Sequence, residues 1–373
     1  MSRRHYLDHA STSPPRPEVV EAMVACLRDP AGDPGRIHAE GLTARVAVET
    51  AREQVAACFG ARSREVVFTS GGTEAIATAV WGAAERGAHQ VVPAVEHSAV
   101  REAAARAGAV TVVGVDGGGR VDAGEVLAAI TPETALVHVQ WANHEVGTVQ
   151  PVADVVAGCR DRGVLVHVDA AQANGHLPIA FTDLGADLLS LSAHKFGGPA
   201  GAGALLVRRG LRLRPLLLGG DQERARRAGI ENVTAVVGFG AAAEALGGGR
   251  IEAEAAEARR LTDRILAAVA DLDGVRVYGD LDHRAPHLVC LGIDGIEPQA
   301  VLLGLDRAGV AAHSGSACSS ESLEPSPVLE AMGVDAHRSL RLSVGWSTTD
   351  ADVDALLTAL PKVLADLRAL AGG

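Results

Sequence analysis

Apolar positions in the first two thirds of the chain fall into short continuous runs separated by longer Ala-rich runs. Short apolar runs rich in Val and Leu favour strands buried on both faces, because a strand with one face in water alternates apolar and polar residues. The Ala-rich runs between them predict helices that cover the sheet. The predicted strands are 65–69, 90–93, 110–113, 135–140, 164–168, 187–192 and 203–207.

Strands that alternate with helices indicate an α/β fold, with a mostly parallel seven-stranded sheet between helices. The run of glycines at 247–249 marks a break. Beyond it, predicted helices (252–270, 299–308 and 350–370) mix with predicted strands (274–278, 287–292 and 340–344), which indicates a smaller α+β domain. We therefore predict a large domain over 16–247 and a small domain formed by 1–15 and 248–373.

Composition narrows the class of protein. Acidic residues outnumber basic ones by 46 to 34, giving a net charge of −12, which argues against a nucleic-acid-binding face. No apolar run reaches the roughly 18 residues of a membrane span. The first eight residues carry two arginines and no apolar stretch, so they do not form a signal peptide. We expect a cytoplasmic protein without membrane or nucleic-acid partners.

The cysteines favour neither disulfides nor zinc. They stand at 26, 58, 159, 290 and 318, an odd number with wide spacing and no Cys-x-x-Cys pair. Four lie in apolar helix or strand patterns, typical of buried structural cysteines. Cys318 instead lies in a small, polar, glycine-containing stretch, His-Ser-Gly-Ser-Ala-Cys-Ser-Ser. An accessible loop cysteine is a candidate nucleophile if its thiol pKa is lowered.

Residues just after the strands are the candidate binding residues, because ligands of open α/β sheets bind beyond the carboxyl ends of strands. The sequence Thr-Ser-Gly-Gly-Thr-Glu at 69–74 opens an Ala-rich helix. Glycines and a helix N-terminus suit a phosphate, with Gly72 and Thr73 as contacts. An ordinary capped helix start would look the same.

Two charged residues follow later strands. Asp169 follows the run 164–168, where a carboxylate can keep a pyridinium nitrogen protonated; a helix N-cap or a metal ligand is the alternative. Lys195 follows 187–192 and precedes two glycines. A buried lysine loses its proton readily and can then form a Schiff base. An exposed turn lysine is the alternative.

Together these segments resemble the NifS/IscS-type cysteine desulfurases, within the class V aminotransferases of the PLP-dependent (pyridoxal 5'-phosphate) transferase fold type I. The resemblance covers nearly the whole chain. The segment Ser-Gly-Ser-Ala-Cys at 314–318, followed by Leu-Glu-Pro-Ser at 323–326, is specific to desulfurases. The other matching segments are 6–12, 67–74, 96–97, 143–148, 167–169, 192–195 and 340–343.

The resemblance implies a cofactor, pyridoxal 5'-phosphate, and a role for each matching residue. Lys195 holds the cofactor covalently and later moves the Cα proton. Asp169 pairs with the pyridine nitrogen, and Gln172 lies near the ring oxygen. His97 stacks on the ring and acts in acid–base chemistry. The residues implied around the phosphate are Gly72, Thr73, Ser192 and His194.

The resemblance also implies a substrate, L-cysteine, and a product, L-alanine. Arg341 clamps the substrate carboxylate, a task suited to a planar guanidinium. Cys318 attacks the substrate sulfur and keeps it as a persulfide, which passes to an acceptor protein that the sequence does not identify. Members of the family are homodimers with sites at the interface, so we expect a homodimer.

The chain departs from the family pattern at two site positions. Ile230 stands where the family has a threonine that reaches the phosphate of the neighbouring subunit, which predicts weaker cofactor retention. His144 stands where the family has an asparagine near the ring oxygen. Either His144 replaces that asparagine or Asn143 takes its place. The chain also ends at Gly373, soon after the last predicted helix, whereas housekeeping members often carry a longer tail that helps dock a scaffold protein.

Two other functions compete with the desulfurase. Another class V reaction, such as an aminotransferase or a selenocysteine or cysteine-sulfinate lyase, would not need Cys318. A degenerate paralogue without catalysis would explain Ile230 and His144. Against it, Lys195, Asp169, His97, Arg341 and Cys318 are all present.

Overall fold

A computed structural model describes residues 4–28, 32–314 and 325–371 of the chain. The strands of this described part are β1 (His5–Tyr6), β2 (Val66–Thr69), β3 (His89–Pro93), β4 (Ala109–Val113), β5 (Thr134–Gln140), β6 (Leu165–Asp169), β7 (Leu188–Ser192), β8 (Gly203–Val207), β9 (Val275–Tyr278), β10 (Leu288–Ile293), β11 (Val310–Ala311) and β12 (Ser339–Ser343). No helix in these ranges is long and apolar enough to cross a membrane.

Helices separate most of these strands, as the Ala-rich runs predict. They are α1 (Pro17–Arg28), α2 (Ala39–Cys58), α3 (Gly72–Ala83), α4 (Ser98–Ala107), α5 (Ala123–Ala128), α6 (Val152–Asp161), α7 (Phe181–Leu184), α8 (Gln222–Ala225), α9 (Val233–Ala245), α10 (Arg250–Val269), α11 (Pro298–Arg307), α12 (Pro327–Ala331) and α13 (Asp350–Ala371). Short 3₁₀ helices lie at Ser63–Glu65, Ala84–Arg86 and Ala193–Phe196.

The central sheet has seven strands in the order β2-β8-β7-β6-β5-β3-β4. Strands β3 to β7 pair in parallel, whereas β8 runs antiparallel to both neighbours, β2 and β7. The predicted mostly parallel seven-stranded sheet is therefore confirmed. The three central strands are buried along their whole length because both faces of the sheet are covered.

Two apolar layers cover the sheet. On one face α3 and α4 contribute residues such as Ile76 and Val100, which are at most 2% exposed. On the other face Val55 of α2, Val155 of α6 and Phe239 of α9 are fully buried. The resulting three-layer order of helix, sheet and helix leaves the ends of the strands as the open surfaces.

A second core lies outside the large sheet. The antiparallel sheet β12-β10-β9 packs against α10, α11 and α13, with Leu291, Leu305 and Leu356 fully buried. Leu7 belongs to the same core, and β1 pairs in parallel with β11. The division into domains at residues 16 and 248 stays a prediction.

Candidate active site

A cavity of about 540 Å³ opens at the carboxyl ends of the central strands. The last residues of the parallel strands β5 and β6, Gln140 and Asp169, are paired there, and β7 continues two residues beyond Ser190, the partner of Asp169. Besides the sequence-predicted residues, the lining includes Ser11, Thr12, Gln140 and Gly201. The predicted site residues in the lining are Gly72, Thr73, His97, His144, Asp169, Gln172, Ser192, His194 and Lys195.

The N-terminus of α3 forms one wall. The first intrahelical bond is donated by Ala75 to the carbonyl of Gly71, 3.1 Å away, so the amides of Gly72, Thr73 and Glu74 precede it. Gly71 has φ 155°, a conformation that side chains disfavour. A Cβ at Gly72 would project to 3.6 Å from Ser192 Cβ. The wall is therefore bare backbone with N–H groups, which suits an anion.

Lys195 extends its amine into the cavity from the short 3₁₀ helix after β7. Its Nζ donates to two carbonyl oxygens of the N-terminal segment, that of Ala10 at 2.6 Å and that of Ser11 at 3.1 Å. Burial lowers the pKa of Lys195 to about 8, with Arg341 adding to the effect and Asp169 opposing it. The amine is therefore partly neutral near neutral pH, as a nucleophilic lysine requires.

Asp169 is the last residue of β6 and is 7% exposed. One carboxylate oxygen accepts a hydrogen bond from the amide of Ala171 at 3.0 Å. Burial raises the pKa of Asp169, while that amide and the nearby Lys195 lower it. Glu96 lies deeper, and burial together with Asp169 raises its pKa well above the usual range. Of these two carboxyl groups, only Asp169 belongs to the cavity lining.

His97 and His144 form the opposite wall. Their rings meet edge to face, with centroids 5.0 Å apart. His97 caps α4 by accepting from the amide of Ala99 at 3.1 Å, so its other nitrogen, Nε2, carries the hydrogen when the ring is neutral. Burial lowers the pKa of His97 to about 3, helped by His144 and Lys195. His97 is therefore neutral at working pH.

Asn143 and His144 differ in whether their side chains reach the cavity. Asn143 is fully buried, and its side-chain oxygen accepts from the amides of Glu145 (2.8 Å) and Val146 (2.9 Å), while its Nδ2 donates to the carbonyl of Val95. These bonds close the turn after β5. His144 lines the cavity and Asn143 does not. Of the two alternatives that the sequence left open, the geometry favours His144.

Three further predicted residues lie in the lining with defined partners. Gln172 donates through Nε2 to the carbonyl of Ala10 at 2.7 Å. Ser192 Oγ lies 3.1 Å from His194 Nδ1, and both side chains border the α3 wall. Burial lowers the pKa of His194 to about 4, so it is a neutral hydrogen-bonding group there.

Arg341 lies on β12, behind the N-terminal segment, and is not part of the lining. Its guanidinium is 1% exposed and is held by Asp8 Oδ1 at 2.9 Å, Ser11 Oγ at 2.5 Å and the carbonyl of His144 at 2.8 Å. Its Nε has no hydrogen-bond partner among the described residues. In this arrangement the guanidinium is closed off by Asp8 and Ser11.

Cys318 lies outside the described residues. The residues that flank its segment are anchored near the cavity. Ser339 Oγ donates to the carbonyl of Ser314 on one side. On the other side Ser326 Oγ donates to Glu145 Oε2 at 2.5 Å, and Glu145 adjoins His144. Both flanks are thus attached to elements that form the site.

The N-terminal residues of the site have roles that residue types alone did not predict. Asp8 binds Arg341, the carbonyls of Ala10 and Ser11 hold Lys195, and Ser11 and Thr12 line the cavity. The segment 6–12 carried part of the resemblance. Its contribution is mostly through backbone carbonyls, which residue types do not reveal.

Comparison with known proteins identifies the family. The aminotransferase class-V family profile matches residues 5–356. A cysteine desulfurase of Trichormus azollae is 44% identical, over 98% of this chain and 94% of its own. A cysteine desulfurase IscS of Dictyoglomus turgidum is 39% identical, over 99% of this chain and 97% of its own. A solved NifS-like protein superposes with TM-score 0.91 at 32% identity, covering 98% of this chain and 100% of that one. The chain therefore belongs to the aminotransferase class-V family.

Proposed function

We propose that this protein is a PLP-dependent cysteine desulfurase that converts L-cysteine to L-alanine and passes the sulfur through Cys318 to an acceptor. The observation that carries the proposal is the convergence of the Lys195 amine, the Asp169 carboxyl and the N-terminus of α3 in one cavity. Relatives that match nearly the full chain and are named cysteine desulfurases support it.

The residues present fit pyridoxal 5'-phosphate. The bare amides of α3 beside Ser192 and His194 suit its phosphate, and Gly72 leaves the space that a Cβ would fill. Asp169 suits the pyridine nitrogen, and Lys195 suits the aldehyde carbon. His97, Gln172 and His144 border the space between them. When bound there, the cofactor withdraws electron density from the substrate Cα.

Lys195 is proposed as the group that takes and returns the proton at Cα. Its amine has a pKa of about 8. Hydrogen bonds to two carbonyl oxygens, which carry no charge, orient this amine. Asp169 would hold a proton on the pyridine nitrogen through its carboxylate. His97, neutral and with its Nε2–H directed away from its helix cap, would donate a hydrogen bond within the cavity.

Cys318 is proposed as the sulfur acceptor. Its thiolate would attack the substrate sulfur, forming an S–S bond as the Cβ–S bond breaks, and the electron pair left on carbon would take up a proton to give alanine. No outside oxidant is needed, because the transferred sulfur loses two electrons and the carbon that it leaves gains the same two. The persulfide on Cys318 is then transferred to a partner of unknown identity.

Arg341 is proposed as the site of the substrate carboxylate. In the structure its guanidinium is bonded to Asp8 and Ser11. A carboxylate that binds Arg341 bidentately would have to replace at least one of these contacts. We further propose that the protein works in the cytoplasm as a homodimer of two-domain subunits.

The decisive experiment follows sulfide and alanine together, with purified protein, pyridoxal 5'-phosphate, L-cysteine and a reductant. Equal amounts of both products are expected from the wild type. Lys195→Ala and Cys318→Ala should each abolish sulfide release. Cys26→Ala is the matched control, because Cys26 lies in α1, outside the cavity lining, and should leave turnover intact.

Two outcomes would contradict the proposal. A cofactor absorbance without sulfide, or turnover that survives Cys318→Ala, would indicate another class V reaction. Failure to bind the cofactor at all would favour the degenerate paralogue.

A further inference from the structure

Two buried imidazole rings stack behind the candidate lysine. His176 and His287 lie with centroids 3.7 Å apart and planes 11° from parallel. His287 is fully buried and His176 is 8% exposed. They come from distant parts of the chain, His176 from the turn after β6 and His287 from the residue before β10.

His176 holds the backbone of Lys195. Its Nε2 lies 3.2 Å from the Lys195 carbonyl, which can only accept, so Nε2 carries the hydrogen. Gly175 makes this approach possible. It has φ 78°, and a Cβ there would come within 2.3 Å of Phe196 Cβ, on the residue that follows Lys195.

His287 holds the side chain of Gln172. The Gln172 amide is oriented by the carbonyl of Ala10, which accepts from Nε2 at 2.7 Å, so Oε1 faces His287 Nε2 at 3.3 Å. His287 Nε2 must therefore carry the hydrogen. His287 Nδ1 is buried without a partner among the described residues, which is less costly for a bare nitrogen than for an N–H.

Gln172 and Lys195 are neighbours at one acceptor. The Ala10 carbonyl accepts from the Lys195 amine at 2.6 Å as well as from Gln172. If the side-chain amide of Gln172 rotated by 180°, its oxygen would face the Lys195 amine. An oxygen there would favour the protonated form of Lys195. Two contacts oppose this turn: the amide oxygen would face the Ala10 carbonyl, and the donor on His287 would face an NH₂ group.

We propose that the stacked pair His176–His287 positions the reacting lysine: His176 fixes the carbonyl of Lys195, and His287 keeps the amide oxygen of Gln172 away from its amine. Both are positioning residues, since neither lines the cavity. The inference rests on the proposed function, in which Lys195 must be neutral to react.

The charges around the pair are consistent with two neutral rings. Burial lowers the pKa of His176 to about 4 and that of His287 well below its usual range, and His176 lowers the pKa of His287 further. A charge on either would face the other ring directly. The charged and titratable groups that act on the pair and on Lys195 are Asp8, His9, Arg16, His97, Asp169, His194, Glu254 and Arg341.

The test measures how fast the apo-protein captures pyridoxal 5'-phosphate as pH rises from about 6 to about 10, by the absorbance of the cofactor–lysine bond. Capture needs a neutral Lys195, so the midpoint of the pH profile reports the pKa of Lys195. The measurement does not depend on catalytic turnover. Borohydride reduction and peptide mapping show that Lys195 is the residue attached. The wild-type midpoint is expected near 8.

Four variants separate positioning from general damage. His287→Phe keeps a flat ring and loses the donor, so the midpoint should rise by roughly half to one pH unit. His287→Gln restores a donor and should return the midpoint toward wild type. In a Gln172→Met background, His287→Phe should cause no shift, because no amide remains to turn. His176→Phe should slow capture at high pH.

His89→Phe is the matched control. It also removes a buried histidine bonded to two hydroxyls, those of Thr134 and Thr111, at the opposite end of the sheet, and it should leave the midpoint unchanged. An unchanged midpoint in folded His287→Phe, or an equal shift in the Gln172→Met background, would overturn the inference. A wild type that captures no cofactor would contradict the proposed function, and the inference would fall with it.

Discussion

At the scale of single residues, Ile230 places an apolar side chain on an exposed surface beside the site. It is 63% exposed and borders a small cavity with Ser70 and Gly201, which also line the main cavity. The isoleucine side chain has no hydrogen-bonding group, so it can bond neither to water nor to a phosphate there. In the proposed homodimer this surface would approach the cofactor of the partner.

We therefore expect Ile230→Thr to retain the cofactor more tightly. One added hydrogen bond of about 1 kcal/mol corresponds to about fivefold in the dissociation constant of pyridoxal 5'-phosphate. Ile230→Val is the control, because it keeps the branched shape without the hydroxyl. Spectral titration of the apo-protein measures both, and equal constants for the two variants would show that the hydroxyl makes no such bond.

Residue types at strand ends could be predicted from the sequence, whereas their partners could not. Lys195 and Asp169 stand directly after apolar runs, and that is a local signal. The bonds of Arg341 to Asp8 and of His287 to Gln172 join residues far apart in the chain, with no pattern at either end. The choice between Asn143 and His144 likewise depends on a turn whose amides occupy Asn143.

At the scale of elements, α8 is the strained one. Its residues Glu223, Arg224 and Ala225 have φ values of 47°, 58° and 60°, in the left-handed region. Each such residue costs roughly 1–2 kcal/mol. The turn is held by Glu223, whose carboxylate binds Arg52 at 2.7 and 2.8 Å and the amide of Phe68 at 2.9 Å. This buried pair fixes a conformation that the backbone alone disfavours.

Ala225→Gly should stabilise the protein by about 1 kcal/mol, because glycine adopts this conformation without the penalty of a Cβ. Thermal unfolding of the apo-protein measures the effect. Ala105→Gly, at an exposed position of α4, is the control and should destabilise by a similar amount. A lower melting temperature for both variants would mean that the left-handed turn carries no strain at Ala225.

Long elements were predictable and short ones were not. Each strand of the central sheet overlaps a predicted run, because strands buried on both faces consist mostly of apolar residues. The antiparallel direction of β8 has no such signal. The two-residue strands β1 and β11 are defined by pairing with each other, which no local sequence records.

At the scale of the whole molecule, buried neutral histidines couple folding to pH. Burial lowers the pKa of His9, His97 and His167 to about 3 and that of His176 and His194 to about 4. The unfolded chain takes up protons on these residues below about pH 6.5, and the folded chain does not. Their contribution to stability is therefore complete above about pH 6.5 and is lost as pH falls toward 4.

We expect the melting temperature of the apo-protein to fall steeply between pH 7 and pH 5. Each such histidine adds up to about 1.4 kcal/mol per pH unit. The raised pKa values of Glu96 and Asp169 act in the opposite direction, but the histidines outnumber them in the described part of the chain. Calorimetry at several pH values tests this, with His194→Asn as a variant of shallower slope. A flat profile over this range would contradict it.

The N-terminal segment 5–10 connects residues from late in the chain with Lys195, and this determines when the site can form. The amide of His5 bonds to the carbonyl of Gly309, and the amide of Ala10 bonds to Ser343 Oγ, while the carbonyl of Ala10 holds the Lys195 amine. During translation residues 5–10 leave the ribosome long before Gly309 and Ser343, which hold them. A nascent chain can therefore build the central sheet and still lack an aligned lysine, so cofactor capture is expected only after synthesis has passed residue 343.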